Sequence, residues 1–294
     1  MNAYTRPQLW LGLLRPKTLF SGLSSVLVAI AYAYSQGHSS WPISGLLIVL
    51  AVSAQIASNI ANDLIDYKRG ADTELRTGPL RPLSRGMLSL GEVRVALAIS
   101  LAVLLACGIT LVALSSWWLL LVGLVIVLGI FAYSGGPYPL SYNGLGEVAV
   151  LVFFGWIPVV TSYYILGGDP LDITLWHLAT SIGLASANIL LVNNYRDYAE
   201  DIQTGKRTVV VRFGRDFAPR LYMTNGMLAM GLLYPIFSTW SWLLVQIYIL
   251  CFLQAHRSLQ RSEGEALNRT LALTARNVFV LALIILALLW SRPA

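Results

Sequence analysis

Residues 95–146 contain no Asp, Glu, Lys, Arg or His, and residues 18–62 hold only His38 among such groups. A helix needs about 20 mainly apolar residues to cross a bilayer, so each stretch can supply two crossings. The whole chain of 294 residues has 12% charged and 56% apolar residues, whereas ordinary globular domains carry about 25% charged residues. That balance excludes a soluble enzyme, a disordered chain and a nucleic-acid module, despite a pI near 9.4. The expected fold is all-α, a polytopic membrane helix bundle of about nine transmembrane helices. It forms one domain over residues 1–294, with two related halves at about 1–145 and 146–294.

Breaks at Gly, Pro and polar clusters place the crossings near 19–35, 43–62, 94–114, 117–134, 146–166, 174–194, 217–237, 239–254 and 271–290. Nine crossings put every Lys and Arg except Arg292 on one side of the membrane. The positive-inside rule makes that side cytoplasmic, so the chain is read as multi-pass in the inner membrane. Arg6, Arg15 and Lys17 precede the first apolar run, which reads as a membrane helix and not a cleaved leader. Cys107 and Cys251 lie inside apolar segments and point to packing, not to a disulfide or metal framework.

The acids are clumped where two crossings end. Asn62-x-x-x-Asp66 closes the second span and Asn193-x-x-x-Asp197 closes the sixth, and Thr-Gly followed by Arg or Lys comes after each. This faint echo predicts two helix-loop units facing one site. At 100° per residue, Asn59, Asn62, Asp63 and Asp66 share one helix face. Asn193, Asp197 and Asp201 drift by only about 40° per step and are also expected along one helix face. Stacked carboxylates repel one another unless cations intervene. Asp and Asn oxygens suit Mg²⁺, which takes one or two carboxylates together with water and substrate phosphate. The alternative is that these acids sit at the membrane edge and pair with nearby Lys and Arg.

Lys68, Arg69, Arg76, Arg81 and Arg85 in one loop, and Lys206, Arg207 and Arg212 in the other, could clamp a diphosphate. They could equally set topology beside anionic lipid. The loop around Tyr133, Tyr138 and Tyr142 is punctuated by Gly and Pro. Its tyrosines fit either an aromatic pocket or an interfacial belt. His38 and His177 are placed toward the far face and His256 in a separate loop, so no histidine metal site is expected.

Several stretches together resemble the UbiA superfamily of intramembrane prenyltransferases. They are Leu14-Arg15-Pro16-Lys17-Thr18, Asn62-Asp63-Leu-Ile-Asp66-Tyr-Lys-Arg-Gly-Ala-Asp72, and Arg76-Thr-Gly78-Pro-Leu-Arg81. Further along come Tyr133-Ser-Gly-Gly-Pro-Tyr138, Gly144-Leu-Gly-Glu147 and Asn193-Asn-Tyr195-Arg-Asp197, followed by Asp201 and Gly205-Lys206-Arg207. The resemblance covers nearly the whole chain and is strongest to the branch acting on 1,4-dihydroxy-2-naphthoate. It implies a nine-helix bundle, Mg²⁺, and Asn62, Asp66, Asp197 and Asp201 as Mg²⁺-diphosphate ligands, with Asp63, Asp72 and Asn193 assisting. The superfamily's third Asp would fall at position 70, which is Gly; Asp72 comes two residues late. The acids Asp63, Asp66, Asp197 and Asp201 then carry catalysis. The substrate contacts are Arg15, Lys17, Lys68, Arg76, Arg81, Arg85, Lys206 and Arg207, with Tyr133, Tyr138 or Tyr195 facing an allylic cation. The implied partners are a polyprenyl diphosphate, dihydroxynaphthoate and membrane lipid, with no nucleic acid and no obligate protein partner. Rival readings are a relative acting on 4-hydroxybenzoate, homogentisate or haem, and a secondary transporter, whose functional charges would lie near the bilayer midplane.

Overall fold

A computed structural model describes residues 4–69, 78, 81–238 and 241–291, without the side chain of Lys17. The expected ligand Asp72 and the expected phosphate contact Arg76 lie outside the described residues. Every regular element among those described is helical. A short α1 (Arg6–Leu14) leads into α2 (Pro16–Ser35), α3 (Trp41–Arg69), α4 (Leu90–Leu114) and α5 (Leu119–Ala132). The next crossing is composite: α6 (Gly146–Leu151), a π-helical turn (Val152–Trp156) and α7 (Ile157–Ile165). Then follow α8 (Ile173–Arg196), the short α9 (Tyr198–Gln203) and α10 (Val209–Phe213), and α11 (Phe217–Gly231), α12 (Ser241–Arg261) and α13 (Leu267–Trp290).

Seven of the described helices are long and apolar enough to cross a membrane. The fourth and seventh expected crossings correspond to α5 and α11, of 14 and 15 residues. At about 1.5 Å per residue these reach roughly 21–23 Å, short of a ~30 Å hydrocarbon core. Turns at Trp117 and Trp118 before α5 and at Tyr234–Ile236 after α11 make up part of the difference.

Helix ends differ from expectation where the sequence lacks a breaker. α3 has 29 residues and runs past residue 62 to Arg69, because no Gly or Pro follows Pro42 and Gly45 until Gly70. α12 continues to Arg261, so His256 is not in a loop: it is buried on that helix, against the carbonyl of Pro219 at 3.1 Å. α4 starts at Leu90, earlier than expected, behind a reciprocal cap. Ser89 Oγ accepts from the Glu92 amide at 3.2 Å, and Glu92 Oε2 accepts from the Ser89 amide at 2.9 Å.

The main hydrophobic core draws buried residues from α2, α3, α4, α7, α8 and α10–α13. α2 touches α3, α7, α8 and α13 and so ties early and late helices together. The π turn meets α8 through two glycines. A Cβ on Gly155 would sit 2.5 Å from the Ala179 carbonyl oxygen, and one on Gly183 would sit 3.1 Å from the Gly155 Cα. Small residues permit this backbone approach inside a membrane bundle.

Candidate active site

The first acidic face lies on the last turns of α3, and its 3.6-residue spacing turns Asn59, Asp63 and Asp66 inward, each 5% exposed or less. Asn59 is a strut: its Nδ2 donates to the Leu14 carbonyl at 2.9 Å and to Thr18 Oγ1 at 3.0 Å. It thereby fixes the α1–α2 junction against α3. At that junction Arg15 takes a left-handed conformation, with φ 50° and ψ 65°, and donates from Nη2 to Asp63 Oδ1. Arg81 closes the face from the other side, with Nη1 donating to Asp66 Oδ2 at 2.7 Å and Nε 3.4 Å from Asp63 Oδ1.

The second face is not one continuous helix. α8 ends at Arg196, Asp197 leaves the helical range at φ −89° and ψ 12°, and Asp201 lies on α9. The amide of Asp201 still donates to the Asp197 carbonyl at 2.8 Å, so one helix-like bond holds the two acids together across the break. Arg196 grips Asp197 with a fork: Nε to Oδ1 at 2.7 Å and Nη2 to Oδ2 at 2.8 Å. Lys206 stands 3.7 Å from Asp201 Oδ1. Burial pushes the Asp201 carboxyl up to about 7; Lys206 pulls it back, and the negative charges of Asp197 and Glu200 add to the rise.

Both faces open into one cavity of about 390 Å³. Asn62, Asp66, Asn193, Asp197 and Asp201 line it, together with Arg15, Arg81, Arg196 and Lys206. A second cavity of about 410 Å³ lies among α2–α7, with an almost wholly apolar lining that includes Leu104, Ile126 and Phe153. Gln55, Ser58, Tyr133, Val150 and Phe154 line both spaces and form a neck between them.

The polar cavity passes a simple test for a hard cation. Asn62 Oδ1, Asp63 Oδ2, Asp66 Oδ1 and Asp201 Oδ2 are buried with no hydrogen-bond partner. Leaving a buried polar group unpaired costs about 1–3 kcal/mol, and more when it is charged. All four atoms are oxygens, the donor set that suits Mg²⁺. No three His, Cys, Asp or Glu side chains among the described residues converge closely enough to cage an ion unaided.

Other expected contacts are spread more widely. Lys68, Arg85 and Arg207 are exposed, and Tyr138 is 59% exposed. Tyr195 lies under the Arg215 guanidinium, 4.6 Å from ring centre to Cζ, and does not line the polar cavity. Tyr133 is the tyrosine among these three that reaches the neck. The acids of both faces point inward and also pair with basic side chains. Arg196, absent from the expected contacts, also lines the cavity, and its place directly before Asp197 is its one trace in the sequence. Glu147 pairs with Asn194, whose Nδ2 donates to Glu147 Oε1 at 3.0 Å.

A family model described as the UbiA prenyltransferase family matches residues 22–284. The chain is 34% identical to the 1,4-dihydroxy-2-naphthoate octaprenyltransferase of Escherichia coli K12 over 287 residues, 94% of this chain and 93% of the relative. It is 35% identical to the enzyme of that name from Mycobacterium leprae, over 72% of each chain. Its fold is similar to that of a UbiA homolog from Archaeoglobus fulgidus solved with GPP and Mg²⁺, with TM-score 0.68 at 18% identity, covering 96% of this chain and 98% of that one.

Proposed function

The chain belongs to the UbiA prenyltransferase family, and on that premise we propose that it moves a polyprenyl group from an allylic polyprenyl diphosphate onto 1,4-dihydroxy-2-naphthoate. The reaction releases CO₂ and diphosphate and gives demethylmenaquinol for menaquinone synthesis. One observation carries this reading: acidic residues from the ends of α3 and α8 line one polar cavity, which shares lining residues with an adjoining apolar cavity. A prenyl diphosphate has that same division, a charged head and a hydrocarbon tail.

In this reading Asn62, Asp66 and Asp201 would hold Mg²⁺, with Asp63 assisting and Asp197 and Asn193 beside them. Bound Mg²⁺ would neutralise the diphosphate and ease its departure. Arg15, Arg81 and Lys206 already line the cavity and supply fixed positive charge where negative charge builds on the leaving group. The allylic carbon then lies at the neck, where the Tyr133 ring favours the cation that develops. The apolar cavity takes the tail and keeps water from the cation. The acids stand at the C-terminal end of α3 and just beyond α8, near one edge of the bundle, which favours this chemistry over transport through the midplane. The basic residues on the same side support an active site at the cytoplasmic face of the inner membrane.

The test uses purified protein in detergent, a labelled prenyl diphosphate, and dihydroxynaphthoate, 4-hydroxybenzoate, homogentisate and haem as acceptors. Dihydroxynaphthoate alone is expected to gain the label, in a Mg²⁺-dependent way. Asp66→Ala and Asp197→Ala are expected to lose at least about 100-fold in turnover while eluting as folded protein. Full turnover in either variant contradicts the site assignment.

A further inference from the structure

Asp197 differs from the other acids of the cavity. Asp63, Asp66 and Asp201 each keep one buried oxygen without a hydrogen-bond partner, whereas Arg196 binds both oxygens of Asp197. The same guanidinium takes Asn193 Oδ1 at 2.6 Å from Nη2 and Asn268 Oδ1 at 2.8 Å from Nη1. Its side chain is 1% exposed, so the acceptors of Asp197 and Asn193 are spoken for from inside the protein. Arg196 is also the last residue of α8, where the negative end of the helix dipole favours a cation.

We propose that Arg196 is a positioning residue that serves as the resident counter-ion of the second acidic face and releases Asp197 only to a diphosphate. A divalent cation therefore loads at Asp197 together with the phosphate-bearing substrate, not ahead of it. The proposal rests on the reading of this cavity as a prenyl diphosphate site.

Three physical points support it. A carboxylate held at both oxygens by a fork offers little to a free cation, and the guanidinium repels that cation at short range. Phosphate oxygens accept the same planar fork, so Arg196 can exchange carboxylate for phosphate without losing its hydrogen bonds. Arg196 also lines the cavity, which places it beside any head group held there. The first face lacks this full occlusion, since Arg81 takes only one oxygen of Asp66 by hydrogen bond and leaves Oδ1 free. Arg196 thus guards Asp197 and Asn193, whereas Asp63, Asp66 and Asp201 each keep an oxygen open to a free cation.

The experiment measures Mn²⁺ binding to the full-length protein in detergent by electron paramagnetic resonance, with and without inorganic pyrophosphate, at equal free Mn²⁺. In the wild type, pyrophosphate is expected to tighten Mn²⁺ binding and raise the unfolding temperature. Arg196→Gln is expected to bind Mn²⁺ about tenfold more tightly than wild type without pyrophosphate, the size of effect expected on removing one adjacent opposite charge. It should also lose most of the pyrophosphate enhancement. A merely structural role would lower stability without improving metal affinity. If Arg196→Gln does not fold, Arg196→Lys keeps the charge but not the fork, and a gain of about threefold is expected. Equal Mn²⁺ affinity in wild type and a folded variant, with pyrophosphate still enhancing both, overturns the guarding role and leaves the diphosphate site standing. Absence of Mn²⁺ binding in all proteins, with or without pyrophosphate, overturns the site reading and the proposal together.

Discussion

Arg15 and Asp63 meet across the α1–α2 junction: the residue with φ 50° sends its guanidinium to a carboxylate that is 1% exposed on α3. Among the described residues Arg15 is the sole non-glycine with positive φ. The left-handed region costs an L-residue about 1–2 kcal/mol. Pro16 and the Asn59 bond to the Leu14 carbonyl hold the turn in place, and the ion pair offsets its strain.

Two substitutions at Arg15 separate strain from charge. Arg15→Gly loses the ion pair but relieves the backbone, so its unfolding temperature in detergent should stay close to that of wild type. Arg15→Val loses the pair and keeps the strain, and should be less stable than the glycine variant by about 2 kcal/mol. Both should transfer prenyl groups at least about tenfold more slowly. Equal stability of the two variants would show that the junction carries no strain.

Asp201 sets a pH dependence. Its raised carboxyl means that the folded chain holds a proton which the unfolded chain releases near the ordinary aspartate value. Its contribution to stability without metal is therefore full in acid and drains away as pH rises through about 7. Cation binding runs the other way, because the ligand must be deprotonated. Mn²⁺ affinity should climb by up to about tenfold per pH unit below 7 and level off above it. Titrations between about pH 5.5 and 8 check this; Asp201→Asn should flatten the climb.

Tyr133 is expected to act through its ring. Tyr133→Phe should keep most of its turnover, whereas Tyr133→Leu should lose about tenfold or more in kcat with a smaller change in KM. Turnover assays with saturating donor decide this. Loss in the Phe variant as large as in the Leu variant would assign the work to the phenol hydroxyl.

Gly129 makes room for Phe153. A Cβ on Gly129 would fall 2.3 Å from the Phe153 Cζ, and both residues line the apolar cavity. Gly129→Ala should cost about 1–3 kcal/mol by overpacking. It should also slow transfer from long polyprenyl diphosphates more than from geranyl diphosphate. Phe153→Leu in the same chain should restore part of both losses, a coupling that a double-mutant cycle measures.

Much of this site was legible because a helix repeats every 3.6 residues: the spacing of Asn59, Asp63 and Asp66 alone turns them to one side, and the structure buries them there. The break at Asp197 was not legible, since neither Gly nor Pro marks it and the Asp201 amide preserves the spacing across it. Arg196 was hidden for a different reason. Counted with the loop bases it reads as a topology signal, and only coordinates show it folded back onto its own neighbour. Tyr138 and Tyr195 look like Tyr133 in sequence, but a turn exposes the first and Arg215 covers the second. Residue type alone could not separate them.

The neck formed by Gln55, Ser58, Tyr133, Val150 and Phe154 makes the molecule a boundary between two solvents. A surfactant-shaped donor settles across such a boundary with its head wet and its chain in oil, so orientation comes from partitioning before any side chain selects it. Once the head is cut away, nothing ties the lengthened quinol to the wet side. Its exit toward oil then follows from solubility, and turnover gains a direction without a moving part.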